Sequence, residues 1–94
     1  MGGQPVSPRV RLALTPRLER RVRKLTGQDR RRLARALHLF QAAPHDPRLG
    51  THELMGLLAE KWAFSFGHDG RVVFEWDGDI AVLLNARSHD EVYG

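Results

Sequence analysis

Two rhythms of apolar and polar residues run along this chain, and the change between them separates strands from helices. Val10, Leu12 and Leu14 alternate with Arg9, Arg11 and Ala13, the period of two that predicts a short strand with one buried face near a sheet edge. Thr15 followed by Pro16 reads as a helix cap with proline at the first helical position, and Leu18, Val22 and Leu25 continue at i, i+4, i+7 spacing. Thr26-Gly27 is expected to end that helix, because glycine is the usual C-terminal stop. A second helix is expected from about Gln28 to Ala43, with Leu33, Ala36, Leu37 and Phe40 on one face and Arg30, Arg31 and Arg35 mostly on others.

Pro44-His45-Asp46-Pro47 breaks the helical rhythm. The segment from Arg48 to Glu60 has no clear period, and His52, Leu54, Leu57 and Leu58 suggest a partly packed loop or one helical turn. Alternation then returns: Trp62, Phe64 and Phe66 interleave with Ala63, Ser65 and Gly67, a strand strengthened by its aromatics. Asp69-Gly70 and Asp77-Gly78 are two-residue hairpin signals, so three strands are expected to form an antiparallel meander. The fold class is therefore α+β in the order β-α-α-β-β-β, with both helices on one face of the sheet. Pairing His68 with Arg71 and Trp76 with Asp79 assigns Trp62, Phe64, Phe66, Val73, Ile80, Val82 and Leu84 to the helix-facing side. The other side then carries Phe74, Trp76 and Leu83, an exposed apolar patch that calls for the chain's own ends or a partner. Strict alternation also sets Arg71 and Arg87 on opposite faces, so that only a bulge or an early end of the last strand lets them share a site.

Composition narrows the class. Ninety-four residues suit a single domain, here expected over residues 9–94 behind a flexible N-terminus at 1–8. There are no cysteines, and the apolar runs fall short of the roughly 20 residues of a membrane span, so a soluble, cytoplasmic protein is expected. The net charge of +4 conceals a strong asymmetry. Met1 to Arg48 holds twelve Lys and Arg against three acids, whereas Leu49 to Gly94 holds three against eight. Thirteen of the fifteen cations are Arg, whose forked donors suit phosphates and carboxylates, and a polyanion or an acidic peptide is the partner this implies. Solvation of helix faces is the plainer alternative.

The chemistry concentrates after Arg71, where a polar tail carrying Arg87, His89, Asp90, Glu91 and Tyr93 follows the last strand. His89 suits proton transfer in either direction, with His52 as a counterpart; Arg71 and Arg87 could clamp an anion or pair with Glu75, Asp90 or Glu91; Tyr93 could stack on a ring or cover the sheet. His45-Asp46, His68-Asp69 and His89-Asp90 lie too far apart in sequence to suggest a metal site, and no metal or other cofactor is expected. Asp69 and His68 are turn residues before they are site candidates.

Residues 46–93, DPRLGTHELMGLLAEKWAFSFGHDGRVVFEWDGDIAVLLNARSHDEVY, resemble the RelE/ParE superfamily of bacterial toxins, in particular its RelE/StbE branch with the YafQ-like mRNA interferases. The likeness rests on a "DP" turn, an "H-x-L-x-G" loop, a Trp-led strand, an Arg-led strand ending in an aromatic, and a closing "H-D-E-V-Y". The resemblance implies a toxin of a type II toxin–antitoxin pair, an endoribonuclease that cuts mRNA on the ribosome and is neutralised by a cognate antitoxin. It implies catalytic roles for Arg71, Arg87, His89, Tyr93 and His52. Arg30, Arg31 and Arg35 are the expected contacts to RNA or ribosome, and Phe74, Trp76 and Leu83 the expected antitoxin surface. One departure favours a different class of function: where several RNases of the family carry Lys or Arg, this chain has Trp62, Phe64 and Phe66. The alternatives are a ParE-like inhibitor of gyrase or a catalytically degenerate module that binds only an antitoxin.

Overall fold

Two threonines decide where the helices begin. A computed structural model of the chain describes residues 9–88, so His89, Tyr93 and the N-terminus at 1–8 lie outside the described residues. After strand β1 (Arg11–Leu14), helix α1 (Pro16–Lys24) starts as the sequence predicts, with Pro16 in its first turn and Thr15 Oγ1 accepting the Leu18 amide at 3.2 Å. Helix α2 (Gly27–Ala42) starts in the same way, Thr26 Oγ1 accepting the Asp29 amide at 3.0 Å. Gly27 therefore opens the second helix and does not close the first, which stops at Lys24. The Thr26 hydroxyl supplies a partner to an amide that the helix itself cannot satisfy.

The remaining strands are β2 (His52–Glu53), β3 (Trp62–Phe66), β4 (Gly70–Asp77) and β5 (Ile80–Arg87). They form one five-stranded sheet in the order β1-β5-β4-β3-β2, parallel between β1 and β5 and antiparallel elsewhere. The α+β order expected from the sequence is thus present, with β1 at an edge as predicted and β2 as an added edge strand. The segment between α2 and β3 makes short 3₁₀ turns at Pro47–Leu49 and Gly56–Leu58 on either side of β2. Leu49 is buried and Leu54 half-buried, and Gly56–Leu58 makes the single turn that the sequence suggested, with Leu57 fully exposed and Leu58 half-exposed.

The facing of β3 agrees with the sequence reading, and that of β4 and β5 is reversed. Phe66 pairs with Gly70 across a loop of Gly67, His68 and Asp69, so the first hairpin turns on three residues where Asp69-Gly70 predicted two. Gly67 adopts a left-handed φ of 62° that favours glycine, and a Cβ on Gly70 would run into the Phe66 carbonyl and ring. Because side chains alternate with period two, this one-residue change in loop length turns β4 over. Val72, Phe74, Ala81 and Leu83 consequently line the core in place of Val73, Ile80, Val82 and Leu84. This corrects the expected antitoxin surface. Phe74 is wholly buried, Leu83 is 1% exposed, and Trp76 packs against the core, so none of them forms an open outer patch.

Phe40 joins the helical layer to the sheet. It lies on the apolar stripe of α2 with Leu33 and Ala36, stacks on Phe64 at a centroid distance of 4.5 Å, meets Phe74 edge-on at 5.0 Å, and stacks on Trp76 at 5.8 Å. Full burial of such a side chain contributes roughly 1.5–3 kcal/mol, and each well-oriented aromatic pair about 0.5–1.5 kcal/mol more. A second tie holds β1 to the end of α2: the Val10 amide donates to the Gln41 carbonyl at 3.0 Å, and Gln41 Nε2 donates to the Val10 carbonyl at 3.1 Å.

Candidate functional site

The outer face of the sheet is organised by a β-bulge. Phe74 pairs with Leu83, but the next residue of β4, Val73, pairs with Asn85, leaving Leu84 as an extra residue on β5. Beyond it the alternation of β5 is inverted: Ala86 turns into the core, while Asn85 and Arg87 emerge on the outer face. Arg71 and Arg87 become directly opposed cross-strand partners. The condition that the sequence set for their sharing a site is met in this way.

Thr15 holds the bulge from outside the hairpin. Its amide donates to the Leu83 carbonyl at 3.2 Å, and its hydroxyl donates to the same carbonyl at 2.9 Å, with the Leu84 carbonyl 3.4 Å away. The same oxygen caps α1. One residue thus ends β1, starts α1 and donates to carbonyls at the bulge.

Arg71 and Arg87 line a cleft of about 470 Å³ with Asp69, Asn85 and Ser88, closed on its apolar side by Leu58 and Val73. Both arginines are exposed. Glu75, one of the acids considered for Arg71, is bound instead by Lys61 Nζ at 2.9 Å. Two like charges directly opposed across strands disfavour the free sheet, and an anion bridging them would relieve that cost. Asn85 Oδ1 accepts the Ala86 amide at 3.0 Å, which leaves its amide nitrogen as a donor to the cleft. The outward residues of β3 are Ala63 and Ser65, so that strand presents no cation; its aromatics Phe64 and Phe66 are in the core.

The other sequence candidates disperse. His52 shares a cross-sheet row with Ala63, Val73 and Asn85, and hence the outer face, but it sits on β2 two strands away from β4 and does not line the cleft. It is exposed, and its Nδ1 lies 2.8 Å from the Gly50 carbonyl. Arg30, Arg31 and Arg35 are exposed on α2; Arg35 borders a separate hollow with Arg32, Arg48 and Gly67. His89 and Tyr93 fall outside the described residues, the last of which, Ser88, lines the cleft. Asn85 and Ser88 were missed as site residues because their facing depends on the bulge. Away from the cleft, Asp46 accepts from the Arg48 guanidinium and from the Arg48 amide, which together lower its carboxyl from the ordinary 3.8 to about 2.

No protein-family model and no curated protein sequence matches the chain. Solved structures do match its shape. A chain of the RelBE2 toxin–antitoxin complex from Mycobacterium tuberculosis aligns at a TM-score of 0.74 and 15% identity, covering 86% of this chain and 99% of that one. A YoeB/ParE toxin from Agrobacterium tumefaciens aligns at 0.68 and 14%, covering 84% and 98%. YafQ from E. coli aligns at 0.62 and 8%, covering 88% and 97%. At such identities the likeness is one of architecture, and on that ground the chain has the fold of the RelE/ParE toxins.

Proposed function

We propose that the protein is the toxin of a type II toxin–antitoxin pair and acts as a ribosome-dependent mRNA endonuclease. The observation that carries this reading is the opposed pair Arg71 and Arg87, set together by the bulge in a cleft with further polar groups. Their guanidinium forks hold the scissile phosphate and stabilise the charge that grows on it as the 2′-oxygen attacks. Phosphodiester transfer needs no metal if proton transfer is supplied, and His89 takes that role as general acid or base, one residue beyond the Ser88 rim of the cleft. Tyr93 assists as a base-stacking or proton-transfer group, whereas His52, which does not line the cleft, has no part in this mechanism. Toxin–antitoxin complexes among the structures of this fold support an antitoxin as the protein's partner.

One observation favours a second reading, a gyrase-directed or purely antitoxin-binding protein: β3 offers no Lys or Arg to the outer face, so the described cleft has only two cations. Induction of the protein in growing cells separates the readings. The endonuclease predicts growth arrest with new mRNA ends inside codons, and a His89→Ala variant that is folded but weakened by roughly 10² to 10⁴-fold. Arrest accompanied by a DNA-damage response and intact mRNA would support the gyrase reading, and unchanged arrest by His89→Ala would remove His89 from the mechanism.

A further inference from the structure

The cleft does not end at Arg87. That side chain, with Asn85, also borders a second hollow of about 380 Å³ whose other wall is α1, through Arg17, Arg20, Arg21 and Lys24. Positions 17, 20, 21 and 24 follow the i, i+3, i+4, i+7 rule and so form a single stripe along the helix. Leu18 and Leu25 anchor the helix to the core, while Arg17, Arg20 and Lys24 are exposed. None of these three has an ion pair among the described residues. Glu19, the one acid of α1, is not part of the wall.

The stripe is unfavourable for an isolated helix. Arg17 and Arg21, and Arg20 and Lys24, are like charges at i, i+4, and Arg17 stands in the first turn, where the helix dipole disfavours a cation. The lining also discriminates between partners. All six residues are polar, five are cationic, and none is an apolar anchor of the kind that carries protein–protein affinity. Asn85 contributes donors, since its oxygen is occupied by the Ala86 amide. A hollow lined by donors and joined to a phosphate cleft fits the backbone of a nucleic acid strand better than the side of an acidic protein.

We propose that Arg17, Arg20 and Lys24 form a second phosphate subsite, which holds the RNA backbone next to the phosphate bound between Arg71 and Arg87. The inference rests on the reading of the cleft as an RNA site. Arg87 is shared by the two hollows and links them, so the strand passes from the outer face of the sheet onto α1. The stripe spans about 10 Å along the helix axis, enough to follow more than one nucleotide. It is distinct from the arginines of α2, which the sequence alone had suggested for this role.

The test is binding of a short single-stranded 2′-O-methyl oligoribonucleotide, which cannot be cleaved, to the full chain over a range of salt. Each phosphate contact contributes about 0.7 to the slope of log affinity against log salt for a single strand. A variant carrying Arg17→Gln, Arg20→Gln and Lys24→Gln should keep its helical circular dichroism, lose affinity about tenfold or more, and lose roughly 0.7 or more of slope. Arg71→Gln should lose affinity separately. Wild-type affinity and slope in the triple variant, with Arg71→Gln still impaired, would overturn the α1 subsite and leave the cleft intact. Loss in the triple variant with no effect of Arg71→Gln would instead overturn the cleft reading on which the subsite rests. If the triple variant lost binding to poly-glutamate but not to RNA, the stripe would be a protein-binding surface and the proposal would fail.

Discussion

Replacing either member of the Arg71–Arg87 pair by Gln should stabilise the free protein slightly while abolishing its use of the site. The two residues are directly opposed on adjacent strands and both side chains are exposed. For two unit charges at a separation of about 7 Å, Coulomb repulsion in water is roughly 0.6 kcal/mol. Screening over a Debye length of about 8 Å at physiological salt reduces it to roughly 0.25 kcal/mol. Each single substitution should therefore raise unfolding free energy by about 0.2–0.6 kcal/mol, the larger value at low salt. In a double-mutant cycle the coupling should have the same repulsive sign and vanish near 1 M salt. Urea unfolding is the assay; with slopes of about 1–3 kcal/mol per molar, the midpoint moves by a few tenths of a molar or less, so the cycle needs replicate titrations. Added inorganic phosphate should stabilise the wild type more than the double variant, which has lost the cleft between the two strands and keeps only the stripe on α1. A loss of more than about 1 kcal/mol from either single substitution, or an attractive coupling, would show that the arginines are held in structural ion pairs and refute the reasoning.

Three further outcomes follow from the fold. Thr15→Val should cost about 1–2 kcal/mol through the lost cap and the lost tie to the bulge, and should shift backbone amide resonances at Asn85 and Arg87, whereas Thr15→Ser should leave both near wild type. Phe40→Ala should cost roughly 3–5 kcal/mol, a large share of the usual 5–15 kcal/mol of a domain, visible as a collapse of near-ultraviolet circular dichroism and of the urea midpoint. The carboxyl of Asp46 is depressed by Arg48, so its contribution to stability is complete above its ordinary 3.8 and is lost as pH falls towards about 2. Acid titrations of wild type and Asp46→Asn should accordingly differ above that window and converge below it.

What the sequence revealed was local. Thr15-Pro16 marked the start of α1, the stripe from Leu33 to Phe40 marked the buried face of α2, and Trp62, Phe64 and Phe66 marked the inner face of β3. Each of these signals lies within one element, where a few neighbouring residues decide the outcome. The errors arose where two local signals competed. Gly70 follows an Asp and so looked like the turn, but Gly67 supplies the positive φ, and Gly70 is needed in the strand because a Cβ there would meet Phe66. At Thr26-Gly27 the threonine cap prevailed over the glycine stop. The candidate site was legible only as a problem: Arg71 and Arg87 could meet if the last strand broke its alternation. The break occurs at Leu84, and the carbonyl of the adjacent Leu83 is bound by Thr15, 68 residues before it in the chain. No window of sequence contains both. The α1 stripe was visible as charge, but its junction with Arg87 appears only once α1 lies against β5.

The central claim is that the bulge-aligned arginines bind the phosphate at which mRNA is cut. The most direct measurement is to add purified wild type, Arg71→Gln and Arg87→Gln proteins to translating ribosomes and map the mRNA ends at nucleotide resolution. Cuts within codons by the wild type, reduced by two or more orders of magnitude in each variant while urea unfolding shows both variants folded, is the predicted result. Ribosomes whose mRNA stays intact with the wild type, or variants that cut as fast as it does, would contradict the account.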